Sequence, residues 1–327
     1  MGVPFKDLVV RAPISIEDLA GKKLAIDTYN VLFQFLSAIR QRDGTPLMDK
    51  DGKITSHLSG IFHRTLKLMQ AGIKPCFVFD GTAPELKAET QASRRAIRAD
   101  AKIKHEKALA EGDIETARKY GQQAITLTRD MIKESKELIN AMGLPVIQAI
   151  GDAEAQAAHM ALKGQVWAIV SQDYDSLLFG APRAIRNLTI SQKKRGTQII
   201  TPEIIDLAKT LNALKVDRQG LVDAAILIGT DFNSGVKGIG PKTAVKIARE
   251  GRFEDYEEQL PRLAAVRKIF LEPATTSNYD LDWKPIDVTK VKAILCDRHG
   301  FSEARIDTAL GLNKSQTNKY QKSLADF

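Results

Sequence analysis

The chain predicts an α/β fold: a mostly parallel, twisted sheet with helices on both faces. Three observations predict it. Short apolar runs alternate with helix-forming stretches through the first 200 residues, the pattern of parallel strands joined by crossover helices. The 327 residues are 43% hydrophobic, enough for a sizeable core and too much for a disordered chain. Several apolar runs end in aspartate, and in such sheets ligands sit beyond the carboxyl ends of the strands.

Taken in order, KKLAID at 22–27 reads as a strand entering a core, and YNVLFQFLSAIRQ reads as the helix after it. Residues 41–54 hold RDGTP and DKDGK, turn formers that make a loop. From 56 to 71, Leu58, Ile61, Phe62, Leu66 and Met69 recur at helical spacing. Gly72 ends that helix, and KPCFVFD is the second strand. Residues 84–142 are charged and helix-forming, with breaks expected at Gly112 and Gly121. GLPVIQA is a third strand, DAEAQAAHMALKG a helix and VWAIVS a fourth strand. Two strand-like pieces flank QKKRG within 183–200. From 202 to 325 the pattern is mainly helical, with a Gly-rich hinge at 235–240.

Composition narrows the function. There are 48 Lys+Arg against 40 Asp+Glu, a formal charge of +8, which suits a polyanionic partner. No apolar run reaches the ~18–20 residues of a membrane span, and MGVPFKDLVV lacks the parts of a signal peptide. Cys76 and Cys296 are the two cysteines, without a CxxC, so a disulfide scaffold and a Cys-ligated zinc site are out. No HExxH, HxH, GxxxxGK[ST] or strand-following GxGxxG occurs, and the five histidines read as surface or structural residues. A reducing, cytoplasmic compartment is the expected location.

The acids carry the chemistry. LAID ends at Asp27, CFVFD at Asp80 and AIVSQD at Asp173, while PVIQA runs into Asp152 and Glu154. Asp175 lies two residues beyond Asp173, and Asp231 follows AAILIGT. One aspartate after a strand is usually a helix cap. Recurrence at four strand ends argues instead for seven carboxylates gathered at one sheet edge. Like charges so placed need compensating cations. All-oxygen donors suit Mg²⁺ or Mn²⁺ rather than zinc. Seven exceed the needs of one ion, so two ions ~4 Å apart are expected. Haloacid dehalogenases want DxDxT on the first strand, and DTYNV fails that pattern.

MGVPFKDL, AIDTYNVLFQFL, TSHLSGIFHRT, GIKPCFVFDG, DAEAQAA, SQDYDSLLFG and LIGTDFNSGVKGIGPKTA resemble the flap endonucleases of the XPG-type structure-specific nuclease family, in their archaeal form. The resemblance covers nearly the whole chain, in order. It implies a PIN-like 5′ nuclease core, a helical arch and a helix–hairpin–helix element. The corresponding regions are an N-terminal nuclease region at 1–98, an arch at 84–136, and an internal nuclease region at 116–258 with the helix–hairpin–helix at 220–250. A C-terminal helical region spans 259–318 and a clamp-binding tail 319–327. The resemblance implies a 5′ flap endonuclease with 5′–3′ exonuclease activity, acting in Okazaki-fragment maturation and base excision repair. It makes Asp27, Asp80, Asp152 and Glu154 ligands of a first Mg²⁺, and Asp173, Asp175 and Asp231 ligands of a second, with Mn²⁺ able to substitute. Where Asp152 stands the family usually has Glu, so a direct contact there can become water-mediated.

Residues 87–107 hold seven Lys or Arg against three acids. Such runs are usually solvated helix faces, but this one follows Asp80 directly. The resemblance makes Lys87 and Arg94 the arch-base cations that hold the scissile phosphate. It places Phe33 against a base near the cut, Gly2 beside the site, and Arg40, Thr55 and Arg64 near the junction and 3′ flap. Gly229, Gly238, Gly240 and Lys242 fall in the hairpin that meets duplex phosphates, where the resemblance implies a K⁺ ion held by hairpin carbonyls. Gln321, Leu324 and Phe327 in QKSLADF resemble the motif that docks on the sliding clamp PCNA. The expected partners are branched DNA with a 5′ flap and that clamp, with no membrane and a monomeric state. Two rivals stand beside this reading. A relative that cuts bubbles would carry a long arch insertion, for which there is no room. A non-catalytic junction binder would not need the acid cluster.

Overall fold

The computed structural model describes residues 3–41, 43–190 and 200–312. Its seven strands are β1 (Arg11–Pro13), β2 (Lys23–Asp27), β3 (Lys74–Phe79), β4 (Val146–Gln148), β5 (Ala168–Val170), β6 (Arg183–Arg186) and β7 (Glu203–Asp206). They form one sheet in the order β1-β7-β6-β5-β2-β3-β4. Pairing is parallel from β6 through β4, whereas β7 runs antiparallel to both β6 and β1.

The chain leaves β2 toward β3 and β4, then returns through one helix to β5 on the other side of β2. That reversal opens a crevice between the carboxyl ends of β2 and β5. Helices α1 (Thr28–Ala38), α2 (Ser56–Gln70) and α5 (Arg129–Ala141) cover one face. Helices α6 (Ala153–Leu162), α9 (Arg218–Ile228) and α10 (Pro241–Arg249) cover the other. The strands sort their side chains with a period of two. Leu24, Ile26, Phe77 and Phe79 enter the first core, while Ala25, Cys76 and Val78 enter the second. Both cores are thus closed by crossover helices, as the alternating pattern requires.

Beyond β3, α3 (Ala88–Ala110) and α4 (Ile114–Gln123) form a long helical hairpin. The remaining α-helices are α7 (Asp175–Leu178), α8 (Leu207–Leu214), α11 (Leu263–Leu271), α12 (Val288–Lys292) and α13 (Glu303–Leu310). Four features depart from the sequence reading. Gly112 does break the arch, with φ +73° between α3 and α4. Gly121 does not: it lies within α4, where a Cβ would come 3.0 Å from the His105 ring, so it serves helix packing. Residues 203–206 form β7 rather than helix, and β1 adds an unforeseen edge strand. Residues 272–287 carry no helix and lie along the molecule as a strap. Trp283 Nε1 there donates to the Pro75 carbonyl at 2.8 Å, and the Gln156 side chain is paired through both its amide atoms to Thr276.

Of the histidines, His57 and His299 are fully buried and structural rather than superficial. His299 bridges Asp49 at 2.8 Å and Glu134 at 3.2 Å, tying the 41–54 loop to α5. Burial pushes the His57 pKa down to about 4, so it is neutral at neutral pH.

Candidate active site

Five chain segments deliver the seven acids to the crevice. Asp27 caps α1 by accepting the Asn30 backbone N–H at 3.2 Å. Asp80, just past β3, accepts the Ala153 N–H at 2.7 Å and so binds to the start of α6. Asp152 is the N-cap position of α6 and Glu154 sits in its first turn. Asp173 and Asp175 follow β5, and Asp231 follows α9. Six of them line a single cleft of about 860 Å³; Asp175 lies behind it, with its carboxylate accepting the Val3 N–H at 2.9 Å.

Gly81 sets the spacing between the segment that carries Asp80 and the one that carries Asp152 and Glu154. Its N–H donates to the Gly151 carbonyl at 2.7 Å, and the next N–H donates to the Ile150 carbonyl at 2.9 Å. A Cβ on Gly81 would lie 2.2 Å from the carbonyl oxygens of Ala149 and Ile150, both backbone atoms that cannot step aside. Gly81→Ala should therefore destabilise the fold by about 1–3 kcal/mol in urea unfolding. An unchanged midpoint would show that the strand-end clamp is looser than described.

Crowding shapes the protonation of the cluster. Burial drives the pKa of Asp27 and Glu154 well up, and neighbouring carboxylates add to it. Asp80 is raised for the same first reason. Asp175 is pushed up to about 6, mainly by burial and then by Asp173 and Asp231, against the opposing Val3 hydrogen bond. A carboxyl with a raised folded pKa binds its proton more tightly folded than unfolded. Its burial is then harmless below about pH 4 and destabilising above about pH 6. In EDTA, Asp175→Asn should melt higher than the natural chain at pH 7.5, and the advantage should shrink toward pH 4.5. An advantage that grows on acidification would contradict this assignment.

The arch supplies the counter-charge. Lys87, at the foot of α3, pairs with Asp152, and its ammonium lies 5.0 Å from the centre of the Phe232 ring. Burial works against its charge, but Asp152, Asp80 and Asp231 together hold its pKa above the usual value. Arg94 pairs with Asp231 at 2.6 Å, and Thr90 Oγ1 donates to the Asp231 carbonyl at 2.9 Å. The same base of α3 that carries the two cations is thus seated directly on the acid cluster.

As the side chains stand, no three carboxylate, thiol or imidazole groups among the described residues are gathered as one metal ion would need. Lys87 and Arg94 occupy two of the seven acids instead. The donor set still fits a hard divalent cation. It is all oxygen, and Asp27, Glu154 and Asp175 within it are raised in pKa by desolvation and neighbouring carboxylates, which a cation would relieve.

Phe33 is only partly buried, lines the cleft and lies under the Arg98 guanidinium, 4.9 Å from its ring centre. It is therefore a cleft residue, not a core aromatic. Arg40 is half-buried and donates to the Leu36 and Gly44 carbonyls at 2.8 and 2.6 Å. Thr55 is 3% exposed. Both support the 41–54 loop from within, Arg40 through Gly44 and Thr55 through its N–H to the Leu47 carbonyl. Arg64 is partly exposed on α2.

In the hairpin between α9 and α10, Gly229 has φ +109° and a Cβ would lie 2.9 Å from the Ser234 carbonyl oxygen. It turns the chain where an L side chain would be strained. Gly238, with φ +88°, and Gly240 have open space around them, and Lys242 is exposed on the first turn of α10. Gly2, Gln321, Leu324 and Phe327 lie outside the described residues.

Sequence reasoning missed the residues that hold the acids in place. Asn30 and Ser171 donate to carboxylates of the cluster, and Gln148 Nε2 donates to the Asp80 carbonyl at 2.7 Å. Their signal was a polar residue at the end of an apolar run: the serine of AIVS and the asparagine of DTYN.

The comparisons with known proteins agree with this architecture. Residues 5–101 match the XPG N-terminal domain and residues 143–231 the XPG I-region. The chain is 51% identical over 319 residues to flap endonuclease 1 of Pyrococcus horikoshii, covering 95% of this chain and 93% of that one. Its fold matches the structure of flap endonuclease-1 from Methanococcus jannaschii with a TM-score of 0.78 and 42% identity, over 95% of this chain and 97% of that one. It also matches the catalytic core of Rad2 in complex with DNA substrate, with a TM-score of 0.72 and 25% identity, over 95% of this chain and 99% of that one. At this identity and coverage, the chain belongs to the flap endonuclease branch of the XPG-type nuclease family.

Proposed function

We propose that the chain is a structure-specific 5′ flap endonuclease with 5′–3′ exonuclease activity, a metal-dependent hydrolase of DNA phosphodiesters. The observation that carries this reading is the single cleft lined by six acids, with Asp175 behind it and Lys87 and Arg94 above it. Carboxylates alone would repel a phosphodiester, and cations alone would bind it without cutting. The two together suit hydrolysis.

Asp27, Asp80, Asp152 and Glu154 would hold one Mg²⁺, and Asp173, Asp175 and Asp231 a second. Bound there, the ions supply a water of lowered pKa and neutralise charge on the phosphate. The chain's own residues do the rest. Lys87 and Arg94 exchange their carboxylate partners for the scissile phosphate and hold it in line, Arg94 through its planar fork. Phe33 offers a ring edge or face to a base beside the cut. No side-chain nucleophile is needed, and the described residues present no Ser–His or Cys–His pair in the cleft.

The hairpin at 229–240 and the N-terminus of α10 grip the duplex by phosphate alone, with backbone amides and Lys242. A K⁺ ion on hairpin carbonyls fits this role. Binding there should weaken steeply with salt. Through its tail the chain docks on the sliding clamp PCNA.

The test is cleavage of a labelled double-flap DNA beside an intact duplex of the same sequence. Mg²⁺-dependent cutting at the flap junction, lost in EDTA and weak on the plain duplex, is the expected result. Junction binding with no cutting at any divalent ion would overturn the nuclease reading in favour of a scaffold.

A further inference from the structure

Two uncharged side chains connect acids that belong to different metal-binding groups of the proposed site. Asn30, in the first turn of α1, donates from Nδ2 to Asp173 Oδ2 at 3.0 Å, and its Oδ1 accepts the Gln172 N–H at 3.1 Å. Its own backbone N–H goes to Asp27 at 3.2 Å. The amide orientation follows from chemistry, because a carboxylate needs a donor and a backbone N–H needs an acceptor. Ser171, at the end of β5 and 1% exposed, donates to Glu154 Oε1 at 2.8 Å, with Asp27 Oδ2 at 3.4 Å on the same side. Its Oγ accepts the Asp173 N–H at 3.2 Å.

Asn30 therefore straddles the loops after β2 and β5, the two strands that flank the crevice. Ser171 straddles the same two loops and α6. Neither residue adds charge. Each uses its donor on an acid of the cluster and its acceptor on a backbone N–H of the loop after β5, which a residue merely filling space would not do. Groups that hydrogen-bond metal-binding carboxylates fix their direction and tune their affinity.

We propose that Asn30 and Ser171 are positioning residues that fix the separation between the two metal-binding groups, Asp27 and Glu154 on one side and Asp173 on the other. The inference rests on the nuclease reading above. It adds that the two ions load as a pair because these two side chains hold their ligands in one register. Losing either link lets Asp173 swing relative to Asp27 and Glu154. The first ion then still finds its ligands, but the second finds them displaced.

The experiment titrates Mn²⁺ into the DNA-free full chain by calorimetry, in parallel with the Mg²⁺ dependence of flap cleavage. Asn30→Ala and Ser171→Ala are expected to weaken the second binding event by about 10–100-fold and to flatten the metal dependence of cleavage toward first order. Flap-DNA affinity in EDTA should stay as in the natural chain. Ser171→Thr, which keeps the hydroxyl, should recover most of the metal affinity. Asn30 is partly exposed, so Asn30→Ala keeps the test decisive even where the buried serine variants fail to fold. Unchanged metal binding in Asn30→Ala, with the natural chain binding two ions, would overturn the positioning role. A natural chain that binds no divalent ion would instead overturn the metal reading of the site itself.

Discussion

Asp173→Ala is expected to lower flap cleavage by on the order of 10³-fold while flap-DNA binding in EDTA persists. Asp173 lines the cleft between the loop after β2 and the start of α7, and its carboxylate is linked to Asn30. Under the proposed function, its removal takes away one metal ligand and one negative charge. Loss of the ligand stops the stabilisation of charge at the phosphate. Loss of the charge makes the cleft more, not less, attractive to DNA. The fold should survive, since the change leaves no larger group to bury. Cleavage kinetics under single-turnover conditions, with binding measured by fluorescence anisotropy, separate the two. Retained cleavage would remove Asp173 from the metal-binding set.

The second large effect belongs to the arch cations. Lys87→Ala and Arg94→Ala should each cost about 10²–10³-fold in the chemical step. They should act differently from Asp173→Ala in one respect. Lys87 and Arg94 occupy Asp152 and Asp231, so their removal frees two carboxylates and should leave divalent-ion binding as tight or tighter. Arg94→Lys should restore little, because a point charge does not reproduce a guanidinium fork. Single-turnover rates with a parallel Mn²⁺ titration check this. A loss of metal affinity in Lys87→Ala would make Lys87 a structural support of the acid cluster, not a phosphate holder.

Much of this site was legible in the sequence because strand ends are legible. A strand buried on both faces is an apolar run, and the aspartate that stops it marks its carboxyl end. Asp27, Asp80 and Asp173 were placed that way, and the crevice joined them. The supporting residues were not legible, because Asn30 and Ser171 are ordinary turn and cap residues until the partner across the sheet is known. The burial of Thr55 was illegible for a related reason. Its position in the chain gives no sign that the 41–54 loop folds over it and leaves it 3% exposed.

The edge of the sheet was hidden by different physics. β1 is three residues long and ends in Pro13, which an edge strand tolerates and a central strand does not. β7 is four residues and runs straight into α8 with no turn between them, so its two isoleucines look like the start of the helix. The strap at 272–287 has polar residues and no periodicity of its own. It is held by side chains that reach it from elsewhere, Gln156 and Gln165 among them. Gly121 shows the converse: a glycine in a helical stretch signals close packing as readily as a break.

The central claim is that one cleft, acidic below and basic above, cuts DNA at a flap junction reached by a free single strand. It is tested most directly by mapping the product of a 5′-labelled double-flap DNA with Mg²⁺, with the 5′ end either free or capped by a bulky protein before the enzyme is added. The account predicts one cut at the junction of the free flap and a large fall in rate when the end is capped first. Equal cutting of both substrates would contradict strand entry beneath the arch, and a cut scattered along the duplex would contradict junction recognition itself.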